Sequence, residues 1–220
     1  MPTRPSLHVS ASIVTADLLR LEGELDRLLT AGIESIHVDL EDGVFVPELN
    51  LGIRVADAVA RWGRLPVDVH LMVSDPEGVL DLLEPLRLRT VAVHLESTRY
   101  PRRVLSLVKE RGWRAGLAVN PASGAPELAR LAPHLDEVLV LTTEPEATSA
   151  SFLHASLPDI STTVERARAC GASVVVDGGV SAENADAIAL AGADAVVVGR
   201  ALFASDDLPA LVTRISKGAA

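Results

Sequence analysis

Short runs dominated by Val, Ile, Leu and Ala recur along the whole chain, each followed by a segment whose apolar residues fall at helical spacing. The runs occupy 7–14, 35–40, 67–72, 90–95, 114–119, 137–142, 173–177 and 195–199. They are β-branched and nearly continuous, as strands covered on both faces must be. The connections are long enough for helices, so the pattern predicts parallel βα units, one per run. Asp17 precedes Leu18, Leu21, Leu25, Leu28 and Leu29, and Gly32 closes that helix. Ala191-Gly192-Ala193 closes the helix after the seventh run. No Ser/Gly/Pro linker or low-complexity tract divides the 220 residues. The reading is therefore a single α/β domain over 1–220, a (β/α)8 TIM barrel. The alternative, an open doubly wound sheet, lacks its Gly-x-Gly-x-x-Gly turn after the first strand.

In such a barrel the active site lies at the C-terminal ends of the strands. Those ends offer Ser12, His37 with Asp39, His70 with Met72, His94 with Glu96, Asn120, Thr142, Asp177-Gly178-Gly179 and Gly199-Arg200. Side chains alternate across a strand, so His37 and Asp39 share one face, as do Asp68, His70 and Met72. If those faces point inward, two imidazoles and a carboxylate converge near the mouth and Asp177 joins them from the far side. Mixed nitrogen and oxygen donors suit one divalent ion of zinc, manganese, iron or cobalt better than calcium. The competing reading is a set of hydrogen-bonded core histidines, which must explain why such groups are buried together. His94 and Glu96 either back the ligands or simply pack. His8, His134, His154 and Cys170 carry no pattern and read as structural or surface residues.

Composition narrows the chemistry. Aromatics are only 3% of residues while 48% are hydrophobic, so the core is aliphatic. A formal charge of −10 argues against nucleic acid and anionic membrane surfaces as partners, though not against a local anion site. No apolar run is long enough to span a bilayer, and none reads as a secretion signal. A lone Cys170 excludes an intramolecular disulfide and a multi-cysteine zinc site, and fits the reducing cytoplasm. Lysine is confined to Lys109 and Lys217, neither at a strand end. Schiff-base chemistry at the mouth is thereby excluded. So is the Asp-x-Lys-x-x-Asp arrangement of barrel decarboxylases acting on nucleotide phosphates. Carboxylates and a metal remain.

Five segments then resemble the ribulose-phosphate 3-epimerases: Ala-Ser-Ile-Val-Thr-Ala-Asp at 11–17, Ile-His-Val-Asp-Leu-Glu-Asp-Gly-Val-Phe-Val-Pro at 36–47, Asp-Val-His-Leu-Met at 68–72, Val-Asn-Pro-Ala at 119–122 and Val-Asp-Gly-Gly-Val at 176–180. The order and spacing match along nearly the whole chain. The resemblance implies a barrel with one divalent metal held by His37, Asp39, His70 and Asp177, with Asp39 and Asp177 as an acid/base pair on opposite faces of a ketose or ketose phosphate. It implies substrate contacts from Ser12 and Met72 and a homo-oligomer, and the strand-end positions, with the common barrel anion site after strands seven and eight, add His70, Gly178, Gly179, Gly199 and Arg200 to the substrate-binding set. Inverting a carbon beside a ketone requires removing a weakly acidic proton and returning one to the other face, and two opposed carboxylates suit that task.

Several positions depart from the family pattern. Glu41 and Leu141 stand where methionines are usual, and Val44 where a histidine is usual. Parity turns Glu41 toward the mouth, unless the backbone has left the strand by that point. The glycine-rich stretch that cradles phosphate is replaced by 144–152, with Glu146 at its first glycine. A unit negative charge 4 Å from a phosphate costs about 4 kcal/mol near a protein surface. Arg200 replaces a small serine. Two readings follow: Arg200 and the Gly178-Gly179 amides still hold phosphate, or Arg200 pairs with Glu146 and the substrate has a different tail. The functional expectation is a metal-dependent C3 epimerase of ribulose 5-phosphate, xylulose 5-phosphate or a close relative. The alternatives are an epimerase of an unphosphorylated or unusual ketose, and a non-catalytic metal- or sugar-binding descendant.

Overall fold

The computed structural model describes residues 5–144 and 151–218. Among them, eight parallel strands close on themselves: β1 (His8–Ser12), β2 (Ser35–Asp42), β4 (Val67–Met72), β5 (Thr90–His94), β6 (Arg114–Val119), β7 (Glu137–Leu141), β8 (Ser173–Asp177) and β9 (Ala195–Val198), with β9 pairing back to β1. A ninth short strand, β3 (Leu49–Asn50), runs antiparallel along the end of β2. Helices α1 (Leu21–Thr30), α2 (Gly52–Trp62), α3 (Pro76–Leu83), α4 (Pro101–Glu110), α5 (Leu157–Cys170), α6 (Ala185–Leu190), α7 (Arg200–Phe203) and α8 (Leu208–Lys217) lie outside. The barrel predicted from the hydrophobic pattern is present, and strand limits agree to within two residues.

Alternation divides each strand between two environments. On β2, Ile36, Val38 and Leu40 join the large apolar layer between barrel and helices, which leaves His37, Asp39 and Glu41 for the interior. Inside the barrel the packing is small and partly polar: Ala92, Ala118 and Leu139 form one cluster, and Val175, Ala195 and Val197 another. Gly116 shows how tight this is, since a Cβ there would lie 2.9 Å from that of Ala92. A polar cavity of about 170 Å³ occupies the floor, lined by Ser10, Asp68, Arg89, Arg114 and Glu137, with His37 reaching it from above.

Local chemistry sets the helix limits. Asp75 and Asp207 cap α3 and α8 by accepting hydrogen bonds from the Gly78 and Ala210 amides, each followed by a proline that fits the first helical turn. One expected helix is missing. Between β6 and β7 the chain forms only 3-10 turns, Pro121–Ser123 and Ala132–His134. Pro121, Pro126 and Pro133 interrupt any backbone ladder there, and Gly124 adopts a φ of +61°.

Candidate active site

The inward faces of β2, β4 and β8 bring His37, Asp39, His70 and Asp177 together, with one ligand atom from each lying within 4.8 Å of the others. Asp39 Oδ1 is 3.1 Å from both His37 Nε2 and His70 Nδ1, and Asp177 Oδ2 is 3.6 Å and 3.7 Å from the same nitrogens. The register explains the meeting: Asp39 pairs with His70 across β2 and β4, so one layer of the barrel carries both. Two imidazole nitrogens and two carboxylate oxygens converging in a buried site are a donor set able to hold a divalent ion. Asp68 shares the parity of His70 but lies a layer lower, where Arg89 holds it in a bidentate pair.

The electrostatics separate the two carboxylates. Burial alone would raise Asp39, but His37 and His70 outweigh it and hold this carboxyl far below its usual range. Asp177 is pushed up to about 7, by burial first and then by Asp39, with His37 opposing. His37 is raised to about 9, because the Asp39 carboxylate overcomes the effect of burial. Asp39 favours the ionised form and Asp177 the protonated one; a divalent ion held by the four would draw both carboxyls and His37 toward their unprotonated forms.

Behind the cluster lies a relay that fixes which nitrogens face the carboxylates. The Asn120 amide and Ser123 Oγ donate to Glu96 Oε1, and Glu96 Oε2 is 3.2 Å from His94 Nδ1. Burial, countered only in part by Glu96, lowers His94 to about 4, so the ring is neutral. A neutral ring donating from Nδ1 to Glu96 leaves Nε2 as an acceptor. His70 Nε2 then donates to it across 2.8 Å, which turns the His70 Nδ1 lone pair toward Asp39 and Asp177. Phe45 packs on His94 with ring centroids 4.8 Å apart.

Above the cluster opens a cleft of about 570 Å³ at the strand ends. Ser12, Met72, Gly178, Gly179, Gly199 and Arg200 all line it, as do Leu141 and Glu41. Met72 is buried beside the β2 end, opposite Glu41 in the register, so β2 has not turned away by that residue. Burial, with Asp39 and Glu48 next, raises Glu41 to about 7. Gly178 and Gly179 have φ of +104° and +66°. A Cβ on Gly178 would come within 2.7 Å of Thr143 Cγ2, and one on Gly179 would collide with the Phe152 backbone nitrogen. Close passage of the 143 and 151–152 backbone therefore demands both glycines. Thr142 Oγ1 locks the same turn by donating to the Asp177 and Gly178 carbonyls at 2.8 Å and 2.7 Å.

Not every expected residue joins the site. Val44 is 75% exposed on the β2–β3 hairpin. Glu146, with its suggested pairing to Arg200, lies outside the described residues. His8 and His134, read from the sequence as structural or surface residues, bond Ser35 and Ser106 away from the site. The hairpin residues Glu48 and Asn50, which also line the cleft, carry no signal in the sequence beyond the Asp42-Gly43 turn that makes the hairpin.

The sequence model of the Ribulose-phosphate 3 epimerase family matches residues 8–203. The chain belongs to that family. A ribulose-phosphate 3-epimerase of Bacillus subtilis is 32% identical over 212 residues, covering 95% of this chain and 98% of its own. One of Methanocaldococcus jannaschii is 31% identical over 217 residues, with 97% and 91% covered. Membership of the ribulose-phosphate 3-epimerase family makes this chain an isomerase, of the epimerase kind. Among solved structures, 3-hexulose-6-phosphate synthase from Salmonella typhimurium superposes with a TM-score of 0.70 at 18% identity over 96% of this chain and 98% of that one. A mutant tryptophan synthase α-subunit from Pyrococcus furiosus gives 0.68 at 16% identity, covering 98% and 99%. At those identities the likeness is one of fold. Among the described residues, no helix is long and apolar enough to cross a membrane.

Proposed function

We propose that the chain is a divalent-metal-dependent epimerase that inverts C3 of a ketose phosphate, ribulose 5-phosphate and xylulose 5-phosphate or a close relative. The observation that carries this reading is the meeting of His37, Asp39, His70 and Asp177 within 4.8 Å beneath a cleft, in a chain of this family. A bound cation held by those four would supply positive charge to the substrate oxygens that become negative as the C3 proton leaves. Asp39 and Asp177 face the reacting carbon from opposite sides: one carboxylate takes the proton, the other carboxyl returns one to the opposite face, and the roles exchange in the reverse direction. Ser12 keeps Asp39 aimed by donating to its Oδ2 at 2.9 Å. Met72 and Leu141 present apolar surface that limits water at the reacting centre.

The test is deuterium uptake at C3 from D2O by protein loaded with zinc, manganese, iron or cobalt. Wild type should exchange C3 of ribulose 5-phosphate, and Asp39→Asn and Asp177→Asn should each lower the rate by at least about 100-fold, the lower end of the range expected for one acid/base group. Absence of exchange with every metal and every ketose phosphate would sink the reading. Arg200, at the rim, and the Gly178-Gly179 turn are assigned to the phosphate. Arg200→Ala should then raise KM for the phosphorylated substrate while leaving kcat near wild type; an unchanged KM removes Arg200 from that role.

A further inference from the structure

Glu41 is the residue of the cleft that the proposed chemistry leaves unused. Its side chain points inward from β2, one side-chain layer above Asp39, across from Met72. Asn50 on β3 flanks it from the side, because the hairpin places Asn50 opposite Glu41 in the antiparallel register. Its Oε2 is nevertheless shut off from solvent and has no hydrogen-bond partner among the described residues. Buried polar atoms rarely go unpartnered in folded proteins, and because Glu41 also lines the cleft, a small turn of its carboxyl pairs it with a group that arrives with the ligand.

The position identifies that group. Gly178-Gly179 and Gly199-Arg200, the elements suited to an anion, stand on β8 and β9, with β1 between them and β2. A ketose phosphate with its phosphate on that side and C3 between Asp39 and Asp177 extends C2 and C1 toward β2 and β4. Glu41 and Glu48 make that end hostile to an anion. A hydroxyl suits it whichever form the carboxyl takes, since it can donate to a carboxylate or accept from a carboxylic acid. A methyl group can do neither.

We propose that Glu41 is a specificity-determining residue that hydrogen-bonds the terminal C1 hydroxyl of the substrate, at the end away from the phosphate. The inference rests on the epimerase reading above. It is tested with the metal-loaded enzyme by comparing C3 exchange of ribulose 5-phosphate with that of 1-deoxyribulose 5-phosphate. Wild type should favour the hydroxylated substrate by about 100-fold in kcat/KM, because a site built for a hydroxyl rejects the analogue lacking it. Glu41→Met should shrink that ratio to within about 3-fold, while Glu41→Gln, which still hydrogen-bonds, should keep most of it. Equal kcat/KM for both substrates in wild type, as expected if a water alone satisfies Oε2, would overturn the proposal, and so would an undiminished ratio in a folded Glu41→Met. Calorimetric binding of ribitol 5-phosphate against 1-deoxyribitol 5-phosphate reads the same preference without turnover. If neither ketose exchanges yet the deoxy polyol binds at least about 30-fold more weakly, the epimerase reading fails and Glu41 keeps its role; equal binding removes the role in either case.

Discussion

Ser12 and Asp39 come from adjacent strands, and the 2.9 Å hydrogen bond from Ser12 Oγ to Asp39 Oδ2 occupies the carboxylate oxygen that faces neither histidine. Asp39 therefore has both oxygens engaged: Oδ1 accepts from His37 Nε2 and Oδ2 from Ser12 Oγ. Its orientation is fixed before any ligand arrives. Removing Ser12 Oγ leaves a buried charged oxygen with one partner fewer, a loss of about 1.5 to 3 kcal/mol for a bond to a charged group.

Ser12→Ala should accordingly lower kcat by at least about 10-fold, at 1.36 kcal/mol per decade. Metal affinity should change less, since Oδ1 is untouched. Steady-state kinetics and metal titration on the same preparation check the split; a variant with wild-type kcat would show that Asp39 needs no such hold.

The Glu96–His94–His70 relay predicts an effect at a distance. Glu96→Gln can donate its amide to His94 Nδ1, making His94 present N–H at Nε2 to His70 and reversing the tautomer that His70 needs. Outer hydrogen-bond partners of metal ligands are worth about 10- to 100-fold in metal affinity. Calorimetric titration with Zn²⁺ or Mn²⁺ should show a loss in that range for Glu96→Gln and for His94→Phe, with melting temperatures of the apo proteins measured alongside. Unaltered affinity in both variants would reduce the relay to packing.

On the barrel floor, Glu137 is raised to about 7, chiefly by burial and next by Asp68, with Arg114 and Arg89 opposing. Its value in an unfolded chain is 4.5. The folded state thus binds a proton that the unfolded chain releases between about pH 4.5 and 7. The resulting stabilisation is complete below pH 4.5 and is lost as pH rises through about 7, by up to about 3 kcal/mol. Urea unfolding at pH 4.5 and pH 8 should show wild type losing more stability than Glu137→Gln by an amount of that order. Parallel pH curves would mean that Glu137 titrates normally.

At Gly179, φ of +66° and the nearness of the Phe152 backbone leave no room for a Cβ. Gly179→Ala should cost more than about 2 kcal/mol in stability and displace the turn after Asp177, lowering activity as well. Gly23, where a Cβ meets nothing within 4 Å, is the control: Gly23→Ala on α1 should be neutral or stabilising in the same denaturation assay.

The strands and the identity of the four clustered residues were legible in the sequence because each strand is a local object. Period-2 alternation decides which side chains share a face, and a barrel of parallel strands leaves only one end for chemistry. The missing helix between β6 and β7 was less legible. Its apolar residues and length allowed a helix, while the competing signal was three scattered prolines rather than one breaker. What no local pattern contains is contact across the barrel. That His94 orients His70, that Asp42 accepts from the Ser74 amide and hydroxyl, and that Asn50 flanks Glu41 all depend on strand register and on a hairpin folding back. The two glycines after Asp177 show the same division. The sequence marks them as a turn beside a strand-end carboxylate, but their necessity comes from the backbone at 143 and 151–152 passing too close for any side chain. Alternation along a strand is set by neighbouring residues, whereas the protonation of Asp39 and Asp177 is set by burial and by charges brought from other strands, which exist only once the barrel has closed.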